Sequence, residues 1–300
     1  MKIISVTFDP QLRNPNFWIL GITGCLIAIN LDITWTTSQS IDQVVFKILA
    51  WGAVIFLSWQ QRHYLCLKSD IISTTVGLIF IAWVMFRSLF SSINDDILAN
   101  ISPLISALSV CLLASGFNNL KQYTRELAIV FLSIFPTEPL LPIIGKVLGV
   151  DISILVSTIT SKFSAFVLWY LGFETERLGV NIILPGGAIT IYDRCSGLDD
   201  MILLLQIACI VLVIFPLGTY KKLILLISAV ILAFIVNSIR VALMAFLVAF
   251  SNRAAFDYWH GGDGAQIFST IAIFVFWWFC KFVVTQGEPQ VMEAVELKEE

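Results

Sequence analysis

Long apolar segments recur along the whole chain, and they constrain its fold more than any other feature. The segment LILLISAVILAFIVNSIRVALMAFLVAF, which ends at Phe250, contains a single charged residue. A hydrocarbon core about 30 Å thick requires about 20 apolar residues per helix. Charged residues make up only 13% of the chain and hydrophobic residues 58%, which excludes a soluble domain with a charged surface. We therefore predict an all-α polytopic membrane protein with about eight transmembrane helices: 17–33, 42–60, 70–92, 101–117, 126–145, 199–216, 222–250 and 264–284.

The distribution of basic residues predicts the orientation of these helices. With the N-terminus inside, ten Lys and Arg residues fall in inner loops and tails and five in outer ones. The first two outer loops, TWTTSQSID and SSINDD, contain none. Because cytoplasmic loops are enriched in Lys and Arg, we predict a multi-pass protein of the cell (inner) membrane with both termini cytoplasmic.

Segment 151–172 is a ninth apolar segment with a polar stripe. Four serines recur at helical spacing and would lie on one face of a helix: Ser153, Ser157, Ser161 and Ser164. We interpret the segment as an interfacial or re-entrant helix on the outer face. The alternative is a serine-striped helix that crosses the membrane and packs in the bundle.

A short β-hairpin is predicted between this segment and the next transmembrane helix. RLGVNIILPGGAITIYD, 177–193, has two β-prone runs around a Pro-Gly-Gly turn. Two strands alone are marginally stable, so the hairpin must pack against the helices or against segment 151–172. It either positions the residues that follow or presents an edge to an extended peptide. The predicted regions are a five-helix membrane region 1–145, an outer-face region 146–198, a three-helix catalytic core 199–284 and an acidic cytoplasmic tail 285–300.

A cysteine lies at the mouth of the sixth predicted helix. Cys195 precedes a turn formed by Ser196 and Gly197, and it lies on the outer side in the eight-helix arrangement. The unpaired amides of a helix start stabilise a thiolate. Asp199 and Asp200 in the first turn oppose this effect by their like charge, so a nearby cation would help to stabilise the thiolate.

The seventh helix contains that cation. Asn237 and Arg240 are three residues apart and therefore lie on one face. An arginine inside a membrane helix is costly and should face the bundle interior with a partner. That partner is a thiolate, a developing oxyanion or the acidic pair; a purely structural pairing with a buried acid is the alternative.

The outer loop SNRAAFDYWHGGDGA contains His260, one of two histidines in the chain. The sixth to eighth helices are consecutive, so Cys195, Arg240 and His260 are expected to converge at the outer membrane boundary. A thiol, a permanent cation and a titratable imidazole are the groups that acyl transfer requires.

These motifs resemble those of a known family. CSGL at one helix start, NSIR in the next helix and a histidine followed by glycines are similar to the exosortase/archaeosortase family of membrane transpeptidases. The resemblance is close over roughly residues 180–280 and rests on hydropathy and helix count before that. The short polar loops are similar to those of the cyanobacterial branch. The acidic pair Asp199-Asp200 departs from the expected helix start.

The resemblance implies a cysteine transpeptidase or protease that cleaves a PEP-CTERM-type signal at the C-terminus of exported proteins. Such a signal consists of a short Pro-Glu-Pro-like motif, a membrane helix and a basic tail. Cys195 matches the nucleophile, Arg240 the essential arginine and His260 the general acid and base, with Asn237, Ser196 and Gly197 as supporting residues. The substrate would pass through a thioester to an unknown acceptor nucleophile or to water. The partners are exported proteins and the lipid bilayer; no nucleic acid, metal or organic cofactor is called for.

Three other functions are compatible with parts of the sequence. A transporter would use intramembrane charges such as Arg87 and Arg240, but no internal repeat is visible and the outer thiol is unexplained. A non-catalytic scaffold explains only the hydropathy. An intramembrane serine protease would use Ser196, but a hydroxyl needs stronger base activation than a thiol.

Overall fold

The computed structural model describes residues 15–38, 40–89, 96–135, 140–192 and 195–285. These residues are mostly α-helical, with one small antiparallel sheet. The chain divides into two compact units, Met1–Ile134 and Phe135–Glu300. The predicted acidic tail lies outside the described residues from position 286 onward.

The N-terminal unit is a set of packed helices. Helix α4 packs against α1, α3 and α5, and α2 packs against α1 and α5. The bounds are α1 Pro15–Ser38, α2 Ile41–Gln60, α3 Ile71–Leu89, α4 Asp96–Ser115, a 3-10 helix Phe117–Tyr123 and α5 Thr124–Ile134.

A buried polar contact joins α1 to α4. Asn30 donates from Nδ2 to the Ser106 hydroxyl at 2.8 Å and accepts from the Ser102 hydroxyl at 2.9 Å. Small serines let helix backbones approach closely, and hydrogen bonds between helices satisfy polar groups that no water reaches. This contact fixes the rotation of the two helices about each other.

The C-terminal unit contains the predicted catalytic residues. Its longest helix, α9, contacts α7, α8, α10 and α11 as well as β2 and β3. The bounds are α6 Leu140–Leu148, α7 Ile152–Tyr170, β1 Glu176–Leu178, β2 Asn181–Leu184, β3 Gly187–Thr190, α8 Leu198–Ile214, α9 Thr219–Ala249, α10 Arg253–His260 and α11 Gly262–Thr285.

The predicted β-hairpin is the β2–β3 pair, and β1 adds a third antiparallel strand that the sequence did not predict. Ile182 and Leu184 of β2, with Ile191 after β3, are buried against Leu168 of α7 and Met244 of α9. The sheet therefore packs against two helices, as the marginal stability of isolated strands requires.

The turn between β2 and β3 lies directly against the end of α9. A Cβ atom at Gly186 would overlap the carbonyl oxygen of Ala249, and one at Gly187 would lie 2.6 Å from a methyl carbon of Val248. Only residues without a side chain allow this close approach. The two glycines thus fix the sheet to the helix that carries Arg240.

The number of candidate spans is close to the prediction, but the segments differ. Within the described residues, six helices are long and apolar enough to cross a membrane, or seven with a bent pair that turns by 120° at Gly116. The predicted span 126–145 is not one helix, because α5 ends at Ile134 and α6 begins at Leu140. The intervening sequence contains Pro136 and Pro139, and proline disrupts a helix interior.

The serine stripe of α7 changes the interpretation of segment 151–172. Ser157, Ser161 and Ser164 are buried against the rest of the unit, whereas Phe166 and Trp169 are exposed. Polar groups inside and apolar groups outside are typical of a helix in lipid, not of a helix whose polar face meets water. Ile152–Tyr170 is also one of the six candidate spans. These observations favour the alternative of a crossing helix over an interfacial one.

Candidate active site

Cys195 is held in a turn between β3 and α8. Its amide donates to the carbonyl of Tyr192 at 2.8 Å, and its own carbonyl accepts from Asn237 Nδ2 at 3.1 Å. The next carbonyl, that of Ser196, accepts from the Thr160 hydroxyl of α7 at 2.8 Å. The segment is thus tied to α7 and α9, and Cys195 is only 6% exposed.

Gly197 makes this turn possible. It adopts a left-handed conformation with φ of 88° at the N-terminus of α8, a conformation that residues with a side chain rarely adopt. A Cβ atom there would also overlap the side-chain amide of Asn237. Two separate constraints, backbone conformation and space, therefore require glycine.

The imidazole of His260 lies next to the thiol. The Sγ atom of Cys195 and the Nδ1 atom of His260 are 3.8 Å apart, within hydrogen-bond range for sulfur. Phe256, one turn earlier on α10, stacks on the imidazole with ring centroids 5.1 Å apart and an interplanar angle of 10°. This stacking fixes the plane of the imidazole beside the thiol.

Arg240 lies behind the thiol and imidazole and is buried. Its Nε atom donates to the carbonyl of Trp259 and its Nη2 atom to the carbonyl of His260, both at 3.5 Å. A cation is favourable at a helix C-terminus, where carbonyls lack partners. Arg240 therefore joins α9 to the last turn of α10, which carries His260.

Burial and charge have opposite effects on the pKa of the Cys195 thiol. Burial raises the pKa of Cys195 above its ordinary value, and the positive charge of Arg240 offsets only part of that rise. Of the two acids expected to oppose the thiolate, Asp200 accepts a hydrogen bond from Ser269 of α11 at 2.6 Å. That acid serves the contact between α8 and α11. Arg240 is the charge that lowers the pKa of the thiol.

The thiol and imidazole open into a cleft of about 530 Å³. One wall is the stretch from Ala188 to Tyr192, and another is the end of α9 with the start of α10. The lining residues are Ala188, Ile189, Thr190, Ile191, Tyr192, Cys195, Val241, Met244, Val248, Ser251, Arg253, Phe256 and His260. A mostly apolar cleft with a few polar groups is typical of a ligand site.

The structure brings together all six predicted site residues, but only some of them line the cleft. Ser196 is fully buried and is not part of the cleft lining, and its hydroxyl accepts from the amide of Leu198. This position does not suit a serine nucleophile. Arg240 and Asn237 also lie outside the lining, so they act on the cleft through Cys195 and α10.

Sequence reasoning missed two supporting features. The predicted outer loop around His260 contains helix α10, and Asn252 caps it by accepting from the amide of Ala255. An asparagine before a short helical run is a recognisable start signal. It also missed Thr160, which lies on the serine stripe and would have been found by including threonine in that stripe.

The fold and the site together define a class of protein. It is a multi-pass membrane protein in which a thiol and an imidazole meet at a cleft. The family model described as transmembrane exosortase matches residues 35–277, and the chain belongs to this family. Its members are membrane-embedded sorting enzymes that act on exported proteins. Comparison with curated proteins and with solved structures gave no match.

Proposed function

We propose that this protein is a cysteine transpeptidase or protease that cleaves a PEP-CTERM-type sorting signal from exported proteins through a thioester. The observation that carries the proposal is the 3.8 Å approach of Cys195 Sγ to His260 Nδ1 at the cleft. A thiol beside a base is the minimum arrangement for nucleophilic catalysis. The transporter alternative is less favoured, because Arg240 serves α10 and is not part of the cleft lining.

The first half-reaction forms the thioester. His260 takes the thiol proton, and the sulfur attacks the peptide carbonyl to give a tetrahedral oxyanion. When this intermediate collapses, the C–N bond breaks, His260 returns the proton to the departing amine, and the exported protein remains bound to Cys195. An acceptor amine or water then attacks the thioester, loses its proton to His260, and releases the product with restoration of the thiol.

The position of Arg240 favours one of its two expected roles. It does not line the cleft, and its charge lowers the pKa of Cys195. Stabilisation of the thiolate is therefore favoured over direct contact with the oxyanion. The amide of Cys195 donates to Tyr192 and is not available to an oxyanion either.

We further propose that the cleft faces the outer side of the membrane. Taking the bent pair as one broken span, and counting α1, α2, α3 and α7 with it, gives five crossings before Cys195. This is the same number as in the prediction with 126–145 as the fifth span, so an inner N-terminus again leaves Cys195 outside. Adding α7 as a crossing and removing 126–145 as a separate one therefore leave the number of crossings before Cys195 unchanged.

Co-expression with an exported substrate that carries a PEP-CTERM-type tail tests the proposal. Immunoblots should show a shortened substrate with the unmodified protein and an intact substrate with Cys195→Ala and Cys195→Ser at equal membrane abundance. Cys25→Ala, which removes an exposed thiol from α1 of the N-terminal unit, is a matched control that should process normally. Normal processing by both Cys195 variants would contradict the assignment of the nucleophile.

A further inference from the structure

The cleft wall formed by β3 presents the edge of the strand, not one of its faces. Five consecutive residues, from Ala188 to Tyr192, line the cleft. Side chains of a strand alternate between opposite faces of the sheet, so a surface that meets every residue in turn must meet the backbone edge. β3 is the terminal strand in the order β1-β2-β3 and therefore has one edge without a neighbouring strand.

The register identifies which backbone groups point into the cleft. The amide of Ile191 donates to the carbonyl of Val180, so the backbone of Ile191 is directed toward β2. In an antiparallel pair such residues alternate with residues directed away. Ile189 therefore faces β2, and Ala188 and Thr190 point their N–H and C=O groups toward the free edge. Within the described part of the chain, no residue donates to or accepts from these groups.

The charged side chains that line the cleft in the described residues have one sign, and it is positive. Arg253, exposed at the start of α10, is the only Lys or Arg in the lining, and no Asp or Glu lines it, among the residues that the structure describes. Within the same described residues, Arg253 forms no ion pair or hydrogen bond through its guanidinium. The cleft therefore favours a ligand with an acidic group, and its apolar wall of Val241, Met244 and Val248 favours a peptide with apolar neighbours.

We propose that the sorting segment of the substrate binds as an added strand on the free edge of β3, with an acidic side chain at Arg253, and so delivers a peptide carbonyl to Cys195. This inference rests on the proposed function and specifies how the substrate is held. Addition of a strand to an exposed edge is a common mode of peptide recognition, in which backbone hydrogen bonds supply affinity. Thr190 and Cys195 line the same cleft, so a strand on this edge lies beside the thiol.

A Pro-Glu-Pro segment has the pattern that such an edge accepts. In an added strand, alternate residues direct their backbone groups toward β3, and the residues between them face away. When the glutamate faces β3, both prolines face outward, where the missing N–H groups are not needed. Proline also biases the preceding residue toward extended backbone, so the motif is already close to a strand.

Peptide binding to the Cys195→Ala variant measures this step without chemistry. The variant is reconstituted in lipid nanodiscs, and the probe is a fluorescent peptide with one Pro-Glu-Pro motif, an apolar helix of about 20 residues and a tri-arginine tail. Thr190→Pro removes one edge amide without loss of a ladder hydrogen bond, whereas Thr190→Val retains the amide. We expect Thr190→Pro to bind about tenfold more weakly than Thr190→Val. Equal affinities, or no binding of the peptide to the Cys195→Ala protein, would overturn the proposal.

A charge exchange provides the second test and does not depend on the fold of the proline variant. Arg253→Glu should weaken binding of the glutamate peptide by about two- to fivefold, as expected for an exposed ion pair. A peptide with lysine in place of glutamate should bind the Arg253→Glu protein more tightly than the Arg253 protein. Lys146→Glu changes a basic residue that lines a separate cavity, and it should have no effect on either peptide. Absence of the charge dependence would contradict the assignment of Arg253.

The two proposals fail in different ways. If the edge and charge variants weaken binding but the protein with Cys195 intact cleaves no substrate, the binding mode stands and the catalytic proposal is wrong. If the protein cleaves its substrate in a Cys195-dependent manner but the variants bind as tightly as their controls, the function stands and the binding mode is wrong.

Discussion

Replacement of Gly197 by alanine separates the two constraints that position the thiol. The first is the backbone, because a residue with a side chain at φ of 88° costs about 1–2 kcal/mol. The second is space, because the new Cβ would overlap the amide of Asn237 and lie 2.8 Å from its Cβ. If Asn237 moves away, the buried carbonyl of Cys195 loses its donor, which costs about 1–3 kcal/mol. Gly197→Ala should therefore lower the free energy of unfolding by about 2–5 kcal/mol.

Gly172 provides a matched control. It has φ of 92°, and nothing lies within 4 Å of a Cβ built on it. Gly172→Ala should cost only the backbone contribution of about 1–2 kcal/mol. In an Asn237→Ala background, Gly197→Ala should cost less than in the unmodified protein but more than Gly172→Ala, because the overlap with the amide is gone while the contact with Cβ of residue 237 at 2.8 Å remains.

The assay combines stability and local accessibility. The free energy of unfolding is measured on the purified protein in mild detergent by titration with dodecyl sulfate. The labelling rate of Cys195 by a maleimide is measured in a background where it is the only cysteine, and it should rise in Gly197→Ala but not in Gly172→Ala. Equal costs for the two glycines, with no coupling to Asn237, would refute the reasoning.

Three further predictions follow from the site and its supports. Arg240→Gln removes the charge that lowers the pKa of Cys195, so the pH midpoint of Cys195 alkylation should move upward; an unchanged midpoint would contradict the role of Arg240. Thr160→Val removes the 2.8 Å hydrogen bond to Ser196 and should cost about 1 kcal/mol in unfolding experiments, whereas Thr158→Val, whose hydroxyl bonds within its own helix, should cost less. If α7 crosses the membrane, Gly172→Cys should react with an impermeant thiol reagent from outside and Gly149→Cys should not, and labelling of both from one side would exclude the crossing.

The sequence predicts which residues the structure brings together around Cys195. Asn237 and Arg240 share a helix face by spacing alone, and Cys195 precedes a turn that contains glycine. These are local relations, and a regular helix preserves them. The convergence of His260 with Cys195 was predicted from helix order, since consecutive membrane helices return to the same side.

The remaining features depend on tertiary packing that local patterns do not determine. A stripe of serines faces either water or protein, and only the burial of Ser161 and Ser164 against the sheet and α9 distinguishes the two. The third strand, β1, has three residues and is too short to give a pattern. The position of Arg253 in the cleft depends on helix α10, which begins only after α9 has ended at Ala249.

Detection of an acyl-enzyme on Cys195 tests the central claim most directly. The purified protein is mixed briefly with a membrane-anchored PEP-CTERM-type substrate without an acceptor amine, quenched with acid and digested for mass spectrometry. The account predicts that the peptide containing Cys195 carries the substrate as a thioester that hydroxylamine removes. Substrate cleavage with Cys195 unmodified, and undiminished in Cys195→Ala, would contradict it.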